Sequence, residues 1–164
     1  MKWIIIILFA IVVVVAIIFL IGYFMPIKHQ ATVRQTFNAV APLQLWQVIT
    51  TPKDYAQWRR DLKNLEVIDD LHWKETSEHG DVIAYEGQVI KETEVFMTKI
   101  ATKGLPFGGT WTFTLKAVDG GTELTITENG EVYNPLFRFM SKFVFGHDAT
   151  LKTYLKNLNH HLTK

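Results

Sequence analysis

Between Ile4 and Phe24 the chain carries no charged residue. A helix of about 21 residues rising ~1.5 Å each is about 31 Å long, the thickness of a bilayer's hydrocarbon core. The pattern predicts a single membrane span over Ile4–Phe24. A cleaved signal peptide is the competing reading. Its apolar region runs ~7–15 residues and ends in a small-x-small site, and Gly22-Tyr23-Phe24-Met25-Pro26-Ile27-Lys28 offers none. Lys2 can snorkel at one end, Trp3 and Tyr23 are placed as interfacial aromatics, and Pro26 with Lys28 closes the helix. Lys2 and the terminal amine on one flank balance Lys28 and Arg34 on the other, so the side of the membrane stays open.

Past Pro26 the pattern becomes that of a water-soluble domain. Gln30–Asn38 alternates, with Ala31, Val33 and Phe37 on one face, and predicts a half-buried strand. Ala41-Pro42 opens a short helix with Leu45, Trp46, Val48 and Ile49 on its apolar side. Thr51-Pro52 caps and starts a second, which carries Tyr55, Trp58, Arg59 and Leu62. Leu65, Val67 and Leu71 mark a strand, Glu78–Asp81 a turn, and Ile83, Tyr85 and Val89 a strand of period two. Glu94–Thr102 reads as another strand, broken by Leu105–Gly109. Thr110–Ala117 alternates throughout, with Trp111, Phe113 and Leu115 facing one way. Asp119-Gly120-Gly121 is a hairpin turn, and Thr122–Val132 alternates again on Leu124 and Ile126. Too little chain follows Asn129-Gly130 for a second hairpin, so a bulge or bend is expected there. From Asn134-Pro135 the period becomes helical, through Leu136, Met140, Phe143, His147, Leu151, Tyr154, Leu158 and Leu162. It describes one helix of about 28 residues, or two pieces bent at Gly146.

The predicted order is a strand, two short helices, about five strands and a long C-terminal helix. Short turns between consecutive strands imply an antiparallel sheet, and the class is α+β. The expected organisation is an anchor over residues 1–25 and one domain over 26–164. A connection from Pro26 to Gln30 reaches at most ~17 Å, which keeps that domain near the headgroups. A curved sheet around one long helix leaves a candidate cavity between them.

Composition narrows the function. A net charge of +1 lacks the basic stripe that nucleic acid demands. With no cysteine, no G-x-S-x-G, no P-loop and no G-x-G-x-x-G, the usual nucleophile and nucleotide signatures are missing. The histidines His29, His72, His79, His147, His160 and His161 form no i, i+4 metal pair. No metal and no cofactor is expected. His147 lies on the apolar stripe of the last helix, where a core histidine bonded to a neighbour is the expectation.

Ala41-Pro42-x-x-x-Trp46, Trp58-Arg59, Leu105-Pro106-Phe107-Gly108-Gly109-x-Trp111 and Asn134-Pro135-x-Phe137-Arg138-Phe139 together resemble the START-related helix-grip superfamily. The nearest branch is the polyketide cyclase/dehydrase-like (SRPBCC) one, in a membrane-anchored subgroup. The resemblance covers essentially all of residues 26–164. It implies a curved antiparallel sheet gripping a long C-terminal helix, with a lipid, sterol, quinone, polyketide or other apolar molecule between them. Some members are enzymes, many only bind or carry, and a related branch contacts chaperones, so the fold alone does not choose.

The candidate ligand-binding residues are Trp58, Arg59, Tyr85, Trp111, Phe113, Glu128, Met140, Phe143 and Tyr154; no catalytic residue is assigned. Trp111 and Phe113 either line the cavity or pack as core. Tyr85 shares the inward parity of Ile83. Trp58 anchors its short helix or gates a mouth. Arg59 pairs with an inward acid or meets an acidic headgroup. Glu128 continues the Leu124–Ile126 face, so alternation aims a carboxylate inward, where it is costly unless paired or protonated; an early bend at Asn129-Gly130 would turn it to solvent. The expected function is a single-pass, membrane-tethered module that binds or transfers a hydrophobic small molecule or lipid. A cyclase or dehydratase, or a ligand-free interaction module, is the alternative.

Overall fold

The computed structural model describes residues 2–78 and 80–163; His79 of the expected turn lies outside them. Helix α1 (Lys2–Phe24) is long and apolar enough to span a membrane. Only Met25–Ile27 separates it from strand β1 (Lys28–Asn38), and those residues are not slack. The Val132 amide donates to the Ile27 carbonyl at 2.9 Å, and Arg138 reaches the Met25 carbonyl.

After β1 come helix α2 (Pro42–Thr50), a 3-10 turn at Pro52–Asp54 and the single-turn helix α3 (Tyr55–Trp58). Proline begins both α2 and the turn, where a missing N–H costs nothing. Thr51, expected to cap the second helix, makes no side-chain cap bond. Strands β2 (Leu62–Val67), β3 (His72–Ser77), β4 (Val82–Lys91), β5 (Val95–Ile100), β6 (Phe107–Val118) and β7 (Gly121–Val132) follow. All pairings are antiparallel, in the order β1-β7-β6-β5-β4-β3-β2. Helices α4 (Pro135–Met140) and α5 (Ala149–Leu162) close the chain. This is the α+β helix-grip architecture, with α5 packed on the inner face of a seven-stranded sheet.

Three sequence expectations need correction. The region read as one strand around Leu65–Leu71 is a hairpin of two, β2 and β3. The break at Leu105–Gly109 is shorter than expected, because β6 already pairs with β7 from Phe107↔Val132 onward. No bulge forms at Asn129-Gly130: β7 pairs residue for residue with β1 and β6 throughout. Gly130 sits opposite Gly109 and His29, and a Cβ there would run into the His29 ring. The glycine allows close approach rather than a turn. The C-terminal segment takes the second of its two expected forms, two pieces divided at Gly146. A π-helical turn over Ser141–Phe145 leads to Gly146, whose φ of 80° favours glycine and ends the first piece.

The core fills one end of the space between sheet and α5. Phe37, Leu45, Ile49, Leu115, Leu124, Leu151, Leu155 and Leu158 are all buried there. Each such side chain contributes about 1.5–3 kcal/mol by leaving water. That solid end fixes the helix over the sheet and leaves the other end open.

Candidate functional site

A cavity of about 470 Å³ lies between the inner face of β3–β7 and the first turns of α5. Strand parity builds its wall. Trp73 and Glu75 project from β3, Ile83 and Tyr85 from β4, Thr98 and Ile100 from β5, Trp111 and Phe113 from β6, and Glu128 from β7. Tyr154 of α5 forms the opposite wall, edge-on to Trp111 with ring centroids 5.8 Å apart. Tyr85 stacks on Trp73 at 5.8 Å. The exposed lining is largely apolar and includes seven aromatic side chains, a surface suited to an apolar guest.

Two polar groups interrupt it. The first is a closed ion network. Arg59 lies just past α3 and donates to Asp61 Oδ2 at 2.7 Å and to Glu75 Oε2 at 3.1 Å. Its guanidinium sits 5.2 Å from the Tyr154 ring centroid. Glu75 also accepts from the Trp73 indole at 2.9 Å, and Asp61 from Asn157 Nδ2 at 2.7 Å. Burial alone would lower the affinity of Arg59 for its proton, but Glu75 and Asp61 more than reverse that. Burial likewise raises the Asp61 pKa, and the Arg59 bonds and charge outweigh it and bring it down. Burial pushes the Tyr85 phenol above its ordinary range. The network is satisfied within itself and holds α3, β2, β3 and α5 together.

The second group is not satisfied. Glu128 stands opposite Trp111 on β6 and Ala31 on β1. Its Oε1 is 3.5 Å from His29 Nε2, and its buried Oε2 makes no hydrogen bond of normal geometry. Burial pushes this carboxyl up to about 7, against a smaller opposing pull from the Trp111 indole. His29 stacks on His147 with ring centroids 4.0 Å apart and planes 19° apart. Burial lowers both histidines; His147 adds to the effect on His29, and Lys142 to that on His147, partly offset by Asp148. The hydrogen-bonded neighbour expected for His147 is missing: its Nδ1 is buried and makes no hydrogen bond. This corner holds a carboxyl that keeps its proton more tightly than usual beside two imidazoles that keep theirs less tightly. It can hydrogen-bond a polar group at one end of an otherwise apolar guest, or move a proton.

Of the nine candidate residues, Arg59, Tyr85, Trp111, Phe113, Glu128 and Tyr154 line the cavity. Trp58 does not: it is buried behind the wall, edge-on to Tyr55 and Tyr154, and anchors α3. Met140 and Phe143 also lie outside it, in the stretch before Gly146 whose helix α4 packs chiefly against α1. His29, Asp61, Trp73, Glu75 and Thr98 went unassigned in the sequence. The parity of His29 with Ala31 and Val33 would have placed it inward. Glu75 shares the parity of Trp73, but the spacing of Leu65, Val67 and Leu71 does not separate β3 from β2. Among the described residues, no three His, Cys, Asp or Glu side chains converge as a metal site would require.

A curved antiparallel sheet closed by a gripping C-terminal helix, with a hollow between them, defines a START-like helix-grip fold. More specifically, the chain belongs to the activator of Hsp90 ATPase homolog 1-like family, whose model matches residues 39–163. Solved structures share the fold at low identity. A conserved protein from Geobacillus kaustophilus superposes with a TM-score of 0.65 at 16% identity, over 83% of this chain and 95% of its own. A START superfamily protein from Mycobacterium smegmatis gives 0.61 at 15%, over 83% and 97%. Norcoclaurine synthase from Thalictrum flavum gives 0.62 at 10%, over 84% and 89%. No curated protein matches the chain in sequence.

Proposed function

We propose that this protein is a membrane-tethered module that binds or transfers a hydrophobic ligand, a lipid-, quinone- or polyketide-like molecule with a polar end. Residues 1–25 serve as a single-pass anchor and residues 26–164 as the binding domain. The ligand's apolar body lies along Trp111, Phe113, Tyr85 and Tyr154, and its polar end meets Glu128. One observation carries the reading: a largely apolar hollow of about 470 Å³, within the usual ~300–1,000 Å³ of small-molecule sites, contains a carboxyl whose buried Oε2 makes no hydrogen bond of normal geometry. A polar group that leaves water is expected to find a partner, and a ligand hydroxyl or carbonyl supplies one for the neutral or charged carboxyl. The tether raises the local concentration of any membrane-dissolved ligand without new contacts.

The full chain extracted in mild detergent should carry a stoichiometric lipid-class molecule in native mass spectrometry. Finding none, from the native membrane or after incubation with total lipid extract, would reject the reading. A second reading is favoured by the carboxyl at about 7, which can take or give a proton at neutral pH, as a cyclase or dehydratase requires. The same experiment separates the two. A carrier and its Glu128→Gln variant hold the same molecule. A dehydratase and that variant hold molecules differing by one water.

A further inference from the structure

We infer that Pro135–Phe145 is a second membrane-embedded element, seated in the lipid interface beside the last turns of α1. The inference rests on reading α1 as a span and is independent of what the cavity holds.

Three observations support it. First, α4 is locked to α1 at membrane depth. The residues of α1 and its exit that lose exposure are Ile18, Gly22 and Met25, at steps of four and three that form one helical stripe. Gly22 is buried against Pro135, whose carbonyl would clash with a Cβ there. The buried Arg138 donates to the carbonyls of Tyr23 at 3.4 Å, Met25 at 2.7 Å and Tyr133 at 3.1 Å. It thereby caps the end of α1, where carbonyls lack helical partners. Ile18 to Met25 is about 10 Å of helix rise, so the contact extends well below the end of the apolar run.

Second, the outward side of this element is apolar. Phe137, Phe143, Val144 and Phe145 are 46%, 59%, 57% and 65% exposed. Soluble surfaces rarely gather such residues into one patch. Here the patch continues the bare apolar surface of α1, so lipid packed around α1 must also meet it.

Third, the charges fit a membrane surface. No acidic residue occurs between Glu131 and Asp148. The cations are Arg138, turned inward, and Lys142, which lies 5.5 Å from the Phe143 ring centroid and is exposed. A lysine whose stem covers an aromatic while its ammonium reaches outward is the usual interfacial arrangement.

The placement has a consequence for the cavity. Phe107 and Gly108 pair with Val132 and Glu131, next to the exit of α1, and Ala149 and Thr150 follow Phe145 within one turn. These residues line the cavity. Its unfilled end therefore lies at the bilayer surface.

The chain has no cysteine, so spin labels can be placed singly at Phe143→Cys and Phe145→Cys, with Val14→Cys in α1 and Thr114→Cys on the outer sheet face as references. The full chain is reconstituted in vesicles of mixed phosphatidylcholine and phosphatidylglycerol. Collision rates with oxygen and with a water-soluble nickel chelate are then compared by electron paramagnetic resonance. The expected oxygen-to-nickel ratio at 143 and 145 is several-fold above that at 114 and below that at 14. A ratio equal to that at 114, with 14 still lipid-exposed, overturns the inference and leaves the span intact. A water-exposed 14 overturns the span itself and the inference with it. Protection from both reagents at 143 and 145 overturns it in favour of a protein contact.

Discussion

Replacing Glu128 by glutamine tests the electrostatics of the cavity directly. In the folded chain the carboxyl is pushed from its ordinary 4.5 up to about 7, by burial first. At ~1.4 kcal/mol per tenfold change in proton affinity, the charged form is disfavoured by about 3 kcal/mol. The side chain keeps 17% exposure, and water reaching it screens part of that cost, so about 1–2 kcal/mol is the expected net effect. The folded state holds this proton more tightly than the unfolded state does. Stability from this group is therefore complete below the ordinary carboxylate pKa, falls as pH rises from about 4.5 to about 7, and is flat above. The two histidines act in the opposite sense. Their folded affinity is lowered below 6.5, so they remove stability as pH falls through that value.

The measurement is therefore a difference. Unfolding of wild type and Glu128→Gln is followed by tryptophan fluorescence in detergent across the pH range, without added ligand. The histidine contribution largely cancels between the two proteins. At about pH 8 the variant should melt higher than wild type by about 2–8 °C, given ~2–4 °C per kcal/mol for a chain of this size. Near pH 4.5 the advantage should vanish. Parallel curves at all pH values would mean that Glu128 is solvated like a surface carboxylate, and would refute both its inward role and the proposal that it meets a ligand.

The ion network predicts a different outcome. Arg59→Ala leaves Asp61 and Glu75 facing a cavity without their cation and should cost about 3–5 kcal/mol in chemical unfolding; Arg59→Lys should recover only part, because an ammonium cannot reproduce the planar fork. Thr98→Phe should fill the cavity between Trp111 and Gly87, abolishing ligand retention in native mass spectrometry while changing the melting point little, since the hollow has room for the ring. Asn134 accepts from the amides of Leu136 at 2.9 Å and Phe137 at 3.3 Å, so Asn134→Ala should cost about 1 kcal/mol, read as faster hydrogen exchange confined to α4.

Period-two alternation carried most of the fold. Ala31, Val33, Phe37, Tyr85, Trp111, Phe113, Leu124, Ile126 and Glu128 all face the side their parity assigns. Parity failed where a local rule competed with it. Asn129-Gly130 is a strong turn signal in isolation, but β1 and β6 pair across both sides of it and hold the strand straight. In the C-terminal segment the helical period is continuous in sequence, and nothing in the spacing of Met140 and Phe143 reveals that Gly146 takes a positive φ. Their apolar character points to the cavity, but Phe143 is exposed and Met140 half-buried, both outside it. The network of Arg59, Asp61 and Glu75 was only half legible, because it joins residues from a loop, a helix exit and a strand whose register no local pattern specifies.

The position of Phe143 and its neighbours joins the remaining features. The end of the domain away from α1 is packed solid by Phe37, Leu45, Leu124 and Leu158, and cannot yield space without cavities that cost several kcal/mol. Near α1, the unsatisfied Glu128 and the stacked His29 and His147 make the interior beside the hollow polar. The same end carries Phe143 and Phe145, which a fully soluble domain would have reason to bury. Stability is thus concentrated at one pole, and both the hollow and the exposed apolar surface at the other. A helix joined to the domain only through its linker would need neither the Gly22–Pro135 contact nor the Arg138 cap. Their presence makes the orientation of the cavity relative to α1 a fixed property of the fold.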